Sequence, residues 1–187
     1  YKTLNGLANG LATEIITAGV IGKNIALLLE HGQSAITGML GVLKSGNSYV
    51  PLDNTYPIER LQYMMEDADC QTLIVSGQMR ALAQQLAAVR ESLTIIDITD
   101  DIKVRSENVG LEIDPERQAY ILYTSGSTGQ AKGVMQSHRN VLHFTKTYTN
   151  NLHISEQDRL SLLPTYSFDA SVMDIYGALL NGATLYP

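Results

Sequence analysis

The chain has 187 residues and a mass of 20.4 kDa, enough for roughly one to one and a half domains. Hydrophobic residues make up 44% and charged residues only 17%, a balance that excludes wholesale disorder. Lysine and arginine total 13 against 19 acidic residues, and a formal net charge of −6 has the wrong sign for a protein that binds chiefly to a phosphate backbone. We therefore expect no nucleic-acid partner.

The single cysteine and the short apolar runs predict the compartment. Cys70 has no second cysteine to pair with, so an internal disulfide is excluded and a reducing, cytoplasmic location is expected. Apolar runs such as residues 25–29 are far shorter than the ~20 residues of a membrane helix, so we expect no membrane partner. Tyr1 in place of Met and a strand-like end at 184–187 suggest a piece of a longer protein.

Helical and strand periods alternate along the first half, which favours a parallel sheet with helices on both of its faces. In chain order, the pattern predicts a helix (4–15), a strand (25–29), a helix (36–43), a strand (48–51), a helix (58–65), a strand (72–75), a helix (79–89) and a strand (93–98). Gly46 is expected to end the second helix, and Pro57 suits the first turn of the third.

The second half begins after a polar stretch. Residues 99–117 have no clear period and carry Pro115 near their end, so we predict a linker there. Beyond it the pattern predicts a strand (119–123), a glycine-rich turn, a strand (132–136), a helix (141–148), a strand (160–163), a helix (172–179) and a last strand (184–187). We therefore divide the chain into a first α/β portion (1–98), a linker (99–117) and a second portion (118–187).

The glycine-rich turn TSGSTGQAKG, residues 124–133, is expected to bind an anion. Its glycines let the backbone approach closely, its hydroxyl groups donate hydrogen bonds and Lys132 adds a positive charge. Each donor to a charged oxygen contributes about 1.5 to 3 kcal/mol, so several together can hold a triphosphate.

Two familiar nucleotide-binding patterns do not fit this turn. Counting from Gly126, the second glycine of the P-loop pattern falls on Ala131, and Gly133 stands where a magnesium-binding hydroxyl is required. The dinucleotide pattern fails because Thr128 replaces its middle glycine. A surface turn that merely happens to be rich in hydroxyl groups remains the alternative.

The run AYILYTSGSTGQAKG, residues 119–133, resembles the signature of adenylate-forming enzymes, which couple a carboxylic acid to AMP from ATP. LKSGNSYVPLD (43–53), the YPIER stretch (56–60) and FDASVMDIYGALLNGATLY (168–186) are similar to core motifs of adenylation domains in nonribosomal peptide synthetases. The opening residues 1–4 are similar to their first motif, so the resemblance covers essentially the whole chain. Ala131 stands where the family usually has Pro, which should loosen the loop slightly.

This resemblance implies a partial N-terminal core of the adenylate-forming fold, with mostly parallel sheets and helices on both faces, incomplete at its C-terminus. It implies formation of aminoacyl-AMP and pyrophosphate from an amino acid and ATP, with Mg²⁺ on the phosphates. The aminoacyl group would then load the phosphopantetheine thiol of a carrier-protein domain, beside other synthetase domains. The fragment alone is expected to be inactive.

The resemblance also assigns residues to the nucleotide and to the substrate. The loop residues expected to bind the β- and γ-phosphates are Thr124, Ser125, Gly126, Ser127, Thr128, Gly129, Lys132 and Gly133. Lys132 and Thr128 are the expected catalytic residues among them. Asp169 would bind the α-ammonium of the amino acid, and Ala170 and Met173 would line its side-chain pocket.

Asp169 has a structural alternative, because an acid before a helix often caps it. Ser171 and Asp174 are expected to form a capping box instead, which favours the ammonium role for Asp169. On the helix itself, the core stripe is Val172, Ile175, Tyr176 and Leu179. Ala170, Met173 and Gly177 are expected to share the pocket face, with ordinary core packing as the alternative for Met173.

The histidines, the cysteine and the early motif segments are not expected to take part in the reaction. The four histidines, His31, His138, His143 and His153, lack metal-ligand spacing, so we predict no metal site and place His138 at a helix start. Cys70 is expected to be an inert buried thiol. The segments 49–53 and 56–60 should shape the fold, with Arg60 free to form an internal salt bridge.

Three other functions stay open from the sequence. A phosphotransferase or NTPase with an unusual loop would release ADP and phosphate. A nucleotide-binding module would bind ATP without turnover. Within the resemblance, a fatty- or aryl-acid ligase is the remaining alternative, and the sequence does not identify the amino acid.

Overall fold

The computed structural model describes residues 1–90, 92–98, 102–125 and 130–187. The helices are α1 (Lys2–Thr17), α2 (Gln33–Lys44), α3 (Ile58–Asp67), α4 (Arg80–Ala87), α5 (His138–Leu152) and α6 (Ala170–Leu179), and a short 3₁₀ turn (Gly77–Met79) leads into α4. The strands are β1 (Asn24–Leu28), β2 (Ser48–Pro51), β3 (Thr72–Val75), β4 (Thr94–Asp97), β5 (Gln118–Ser125), β6 (Ala131–Ser137), β7 (Arg159–Ser161) and β8 (Thr184–Tyr186).

Within these ranges, six strands form one sheet in the order β4-β3-β1-β2-β5-β6. The first five strands of that order run parallel, and β6 closes an antiparallel hairpin with β5. A separate parallel pair joins β7 and β8. The mostly parallel α/β class predicted from the alternating periods is therefore confirmed.

Each face of the six-stranded sheet has its own apolar core. One core packs α1, α2, α5 and α6 against side chains such as Leu27 and Leu122. The other packs α3 and α4 against the opposite face, where Leu28 and Tyr123 point. Because side chains alternate along a strand, β5 sends Tyr120 towards the first core and its neighbour Ile121 towards the second.

Several predicted boundaries agree with the structure. Strands β2 and β3 have the predicted limits, and α2 is followed by Gly46 with a φ of +74°, a conformation that favours glycine.

Two predicted helix boundaries differ from the structure. Pro57 was expected in the first turn of α3, but it precedes the helix in an extended conformation, with φ −53° and ψ 146°. The helix predicted through residue 89 ends at Ala87, and Val89 is 63% exposed. Turns at Arg90 and Leu93 redirect the chain there so that β4 can pair with β3.

The described part of the predicted linker, residues 102–117, contains neither helix nor strand, and its first residues pack closely on α1. The Arg105 amide donates to the Gly6 carbonyl at 3.0 Å, and the Asn9 side chain donates to the Arg105 carbonyl at 3.2 Å. A Cβ atom on Gly10 would lie 2.1 Å from the Lys103 carbonyl oxygen. We call residues 102–105 the α1 strap. The division at 98 and 117 stays a prediction, although β5 joins the same sheet as β1 and β2.

Three smaller predictions concern residues away from the loops. Cys70 is fully buried, and burial raises the pKa of its thiol to about 12, as expected of an unreactive cysteine. The Arg60 guanidinium lies 3.8 Å from the centre of the Tyr56 ring, a cation–π contact, and among the residues that the structure describes it does not form the expected salt bridge. In the described ranges, no helix is both long enough and apolar enough to cross a membrane.

Candidate functional site

A cavity of about 450 Å³ opens between α5, α6 and the β5–β6 hairpin. This volume falls within the usual range for small-molecule sites. The predicted substrate residues Asp169, Ala170 and Met173 all line it. The other lining residues are Tyr120, Gln136, Asn140, Val141, His143, Phe144 and Val172.

The hairpin supplies the floor of this cavity. Tyr120 on β5 and Gln136 on β6 are partners in the antiparallel ladder. The Gln136 side-chain oxygen accepts a hydrogen bond of 2.9 Å from the Asn140 side chain on α5, which ties the floor to one wall. Sequence reasoning missed these residues, and the register of the hairpin is the signal that could have placed Tyr120 and Gln136 side by side.

Helix α5 forms one wall. It begins at His138, as predicted, and the Ser137 hydroxyl caps it by accepting from the Asn140 amide at 3.2 Å. Val141 is buried in the core, whereas Phe144 from the same apolar stripe is 50% exposed and faces the cavity. The stripe therefore serves both the core and the candidate site.

The start of α6 forms the opposite wall, and Asp169 immediately precedes it. Asp169 already has helical angles, φ −60° and ψ −32°, and in the described structure its side chain makes no capping hydrogen bond. The predicted capping box is wrong, because Ser171 lies inside the helix and donates instead to the Phe168 carbonyl at 2.6 Å. Asp174 accepts from the Tyr148 hydroxyl at 3.4 Å. Asp169 is thus left exposed at the mouth of the cavity.

Gly177 was expected to face the cavity together with Ala170 and Met173, but it does not line the cavity. It lies one turn beyond Met173, where α5 and α6 pack directly together. A Cβ atom at Gly177 would lie 3.1 Å from the Tyr148 ring. The missing side chain therefore allows close helix packing and does not shape the cavity.

The segment that leads into Asp169 is anchored to the loop after β2 by a carboxylate. Asp53 accepts hydrogen bonds from the Ser167 hydroxyl at 3.1 Å and the Thr165 hydroxyl at 3.3 Å. It also accepts from the Thr55 amide at 2.9 Å. Burial alone would raise the pKa of Asp53, but these hydrogen bonds outweigh it and hold the pKa below its ordinary value.

Tyr166 anchors the same segment from within the core. Its buried hydroxyl accepts from the Leu29 amide at 2.9 Å. It lies 3.2 Å from the Leu27 carbonyl and 3.1 Å from the Leu52 carbonyl, the acceptors for its own proton. We call Asp53, Thr165, Tyr166 and Ser167 the loop clamp, because together they fix the approach to Asp169.

The described ends of the predicted phosphate loop lie on the hairpin. Thr124 and Lys132 are ladder partners with exposed side chains, and Ser125 pairs with Ala131. Alternation along β5 places Thr124 on the same sheet face as Tyr120. A Cβ atom at Gly133 would lie 2.9 Å from the Ile121 side chain, so glycine is required there for packing. The remaining predicted loop residues, Gly126, Ser127, Thr128 and Gly129, lie outside the described residues.

The charge in the cavity favours a cation. Among its described lining residues, Asp169 is the only carboxylate, and none is Lys or Arg. Burial raises the pKa of the Tyr120 hydroxyl to about 12, and the negative charge of Asp169 adds to the rise. The site thus combines one unpaired carboxylate, a neutral phenol and an apolar wall, an arrangement suited to an ammonium group attached to an organic side chain.

Known proteins resemble the chain along its whole length. The AMP-binding enzyme family model matches residues 1–187. Surfactin synthase subunits 2 and 1 of Bacillus subtilis (strain 168) are 37% and 38% identical to it, over 100% and 99% of the chain but 5% of each relative. Tyrocidine synthase 1 of Brevibacillus parabrevis is 33% identical over 100% of the chain and 17% of the relative.

Solved structures show the same fold. The nonribosomal peptide synthetase FmoA3, with alpha-methyl-L-serine-AMP bound, matches with a TM-score of 0.87 and 26% identity over 98% of this chain and 20% of that chain. ATP-bound MatB from Rhodopseudomonas palustris matches with a TM-score of 0.86 over 98% of this chain and 39% of that chain, and its 22% identity shows likeness of fold alone.

The chain belongs to the AMP-binding enzyme family, since the family match covers all of its residues. The resemblance to adenylate-forming enzymes of peptide synthetases is thereby confirmed, as is the α/β fold class. The chain spans only a small part of the relatives it matches.

Proposed function

We propose that this member of the AMP-binding enzyme family is part of an amino-acid-activating adenylation domain of a nonribosomal peptide synthetase. The intact domain forms aminoacyl-AMP and pyrophosphate from an amino acid and ATP. The observation that carries the proposal is the meeting of Asp169, Ala170 and Met173 in one cavity beside the hairpin that bears Thr124 and Lys132.

Asp169 binds the α-ammonium group of the amino acid. A carboxylate that loses water when a ligand fills the cavity is costly unless a cation neutralises it. Apart from His143, no basic side chain lines the described part of the cavity, which favours a cation supplied by the ligand. A fatty or aryl acid has no such group, which favours an amino acid over those substrates.

The loop at the end of the hairpin holds the β- and γ-phosphates of MgATP. Lys132 contributes a positive charge, and the hydroxyl and amide groups of Thr124, Ser125, Ser127 and Thr128 donate hydrogen bonds. Gly126, Gly129 and Gly133 allow the backbone to approach. Mg²⁺ bound with the nucleotide would supply further positive charge to the phosphates beside Lys132. Removing one such donor typically lowers a rate by about 10² to 10³.

The chemistry is attack of the amino-acid carboxylate on the α-phosphorus of ATP, with pyrophosphate leaving. Two anions must be brought together, so the protein contributes positioning and charge stabilisation and needs no covalent intermediate. Asp169 fixes the ammonium end of the substrate while Lys132 and Thr128 stabilise the leaving diphosphate. The aminoacyl group then passes to the phosphopantetheine thiol of a carrier domain, and AMP leaves.

Amino-acid-dependent exchange between ATP and pyrophosphate, measured on the full-length protein that carries this chain, tests the proposal. Asp169→Ala should abolish exchange with amino acids. Asp174→Ala is the matched control, because Asp174 lies on the same helix but does not line the cavity, and it should leave exchange largely intact.

Three results would contradict the proposal. The wild-type protein could give no exchange with any proteinogenic amino acid. Exchange could depend on fatty or aryl acids and survive Asp169→Ala, which would indicate the other ligase class. Release of ADP and phosphate would indicate a phosphotransferase.

A separate expectation concerns the 187-residue chain by itself, which should form no adenylate.

A further inference from the structure

Tyr120 is a buried tyrosine whose hydroxyl group lacks a protein partner. It is 7% exposed and lines the cavity, and its hydroxyl makes no hydrogen bond to any residue that the structure describes. The buried hydroxyls of Tyr49, Tyr123, Tyr166 and Tyr176 are all hydrogen-bonded. The Tyr120 hydroxyl is not among the fully buried unpaired atoms of the described residues, so it reaches the open cavity, where a ligand that displaces water can become its partner.

Packing prevents the Tyr120 ring from turning away to find another partner. Its ring centre lies 5.4 Å from that of Tyr49, the residue opposite it on β2. Tyr49 is itself held by a 3.1 Å hydrogen bond between its hydroxyl and that of Tyr176. The phenol of Tyr120 is therefore fixed at the floor of the cavity.

We infer that the Tyr120 hydroxyl oxygen is a second acceptor for the α-ammonium group of the substrate, beside Asp169. This inference rests on the proposed function, because it needs an amino acid in the cavity. An ammonium group has three N–H donors, and a phenol oxygen can accept from one that the carboxylate leaves free.

Electrostatics supports the same pairing. Burial raises the pKa of Tyr120 and the Asp169 charge raises it further, so the phenol, which is neutral at pH 7 in any case, stays neutral beside that carboxylate. A neutral phenol oxygen accepts from an ammonium without adding a second negative charge. Met173 and Phe144 then remain to contact the substrate's side chain.

The test is Tyr120→Phe in the full-length protein, measured by ATP–pyrophosphate exchange. Loss of a hydrogen bond to a charged group should raise the KM for the amino acid about tenfold, with the KM for ATP unchanged. The factor should be the same for every amino acid that the protein accepts, since all of them share the ammonium. Phe retains the ring and the lost hydroxyl has no described protein partner, so the melting temperature should not fall.

Tyr123→Phe is the matched control. Tyr123 lies on the same strand but on the opposite sheet face, where its hydroxyl bonds the Met64 carbonyl and Asp67. That substitution should lower the melting temperature and leave the amino-acid KM unchanged.

Each other outcome overturns the inference. An unchanged amino-acid KM would show that the hydroxyl does not touch the substrate. A rise confined to some amino acids would assign Tyr120 to the side chain, and a fall in melting temperature would show a structural partner. Failure of the proposed function looks different, because the wild-type protein would then show no amino-acid-dependent exchange.

Discussion

The α1 strap and the loop clamp hold two irregular segments in contrasting ways. The strap lies with its backbone directly on α1, where Gly6 and Gly10 leave room for it. The clamp holds the segment before Asp169 through side chains, with Asp53 and Tyr166 as its hydrogen-bonding centres. Close packing of backbone on backbone, with hydrogen bonds to the Arg105 backbone, therefore fixes a segment that carries no candidate-site residue, whereas side-chain hydrogen bonds fix the one that does.

Gly10→Leu should break the strap and give the largest loss. The added Cβ would meet a backbone oxygen at 2.1 Å, which flexible side-chain motion cannot relieve. We expect a loss of about 3 kcal/mol in the free energy of unfolding, measured by chemical denaturation. Thr17→Leu, at the exposed end of α1, should have little effect. A change in the amino-acid KM of Gly10→Leu would contradict the separation of strap and site.

Tyr166→Phe should break the buried half of the clamp. It leaves the Leu29 amide without its partner, which costs about 1 to 3 kcal/mol in the free energy of unfolding. Because the segment before Asp169 loosens, the amino-acid KM should rise as well. Tyr148→Phe, which removes a half-exposed hydroxyl with a 3.4 Å bond to Asp174, is the control and should change neither quantity appreciably. Loss of stability with an unchanged KM would show that the clamp does not position Asp169.

Asp53→Asn should weaken the half-exposed side of the clamp and alter its response to pH. The folded-state pKa of Asp53 lies below the ordinary value of 3.8, so its stabilising contribution is present above that value. The contribution is lost as the pH falls through the folded-state pKa. Chemical denaturation should show that the wild-type free energy of unfolding falls between pH 7 and about pH 3. The fall should be smaller in Asp53→Asn, by about 1 kcal/mol or less because Asp53 is partly exposed to solvent. Equal losses in both proteins would contradict this assignment.

Arg139→Ala should have the smallest effect. Arg139 pairs with Glu116 at the end of the polar segment before β5, but the two side chains are 63% and 62% exposed. An exposed pair of this kind contributes about 0.5 kcal/mol or less. A loss well above that in chemical denaturation would show that this segment is held by charge in addition to its backbone contacts.

Local sequence patterns were enough to place most of the elements. Strand β3 has its predicted limits because its β-branched, apolar run lies between the polar residues Gln71 and Ser76, and the predicted limits of β2 also agree with the structure. The family resemblance predicts Asp169, Ala170 and Met173 as substrate residues, and they meet in one cavity because they lie within one turn at the start of α6. In each case the determining residues lie next to each other in the chain.

Features that depend on distant residues were not predicted. The packing of the strap on α1 depends on the spacing of Gly6 and Gly10, which is visible in the sequence but does not name its partner. Tyr120 enters the cavity because of its cross-strand register, and the capping box failed because α6 starts before Ser171. The phosphate-loop residues from Gly126 to Gly129 remain a sequence-based prediction.

The strand order also bears on where a ligand can enter. The chain reverses its direction across the sheet between β1 and β3, and in open α/β sheets the crevice at such a topological switch point commonly receives the ligand. Here hydrogen bonds join the two loops that border that crevice, since the Glu30 amide donates to the Ser76 hydroxyl and the Gln78 amide donates to the Glu30 carboxylate. The cavity that Asp169 lines lies instead at the antiparallel β5–β6 edge of the sheet. Substitutions that remove the two hydrogen bonds of Glu30 should therefore open the crevice between β1 and β3 without widening the cavity at Asp169.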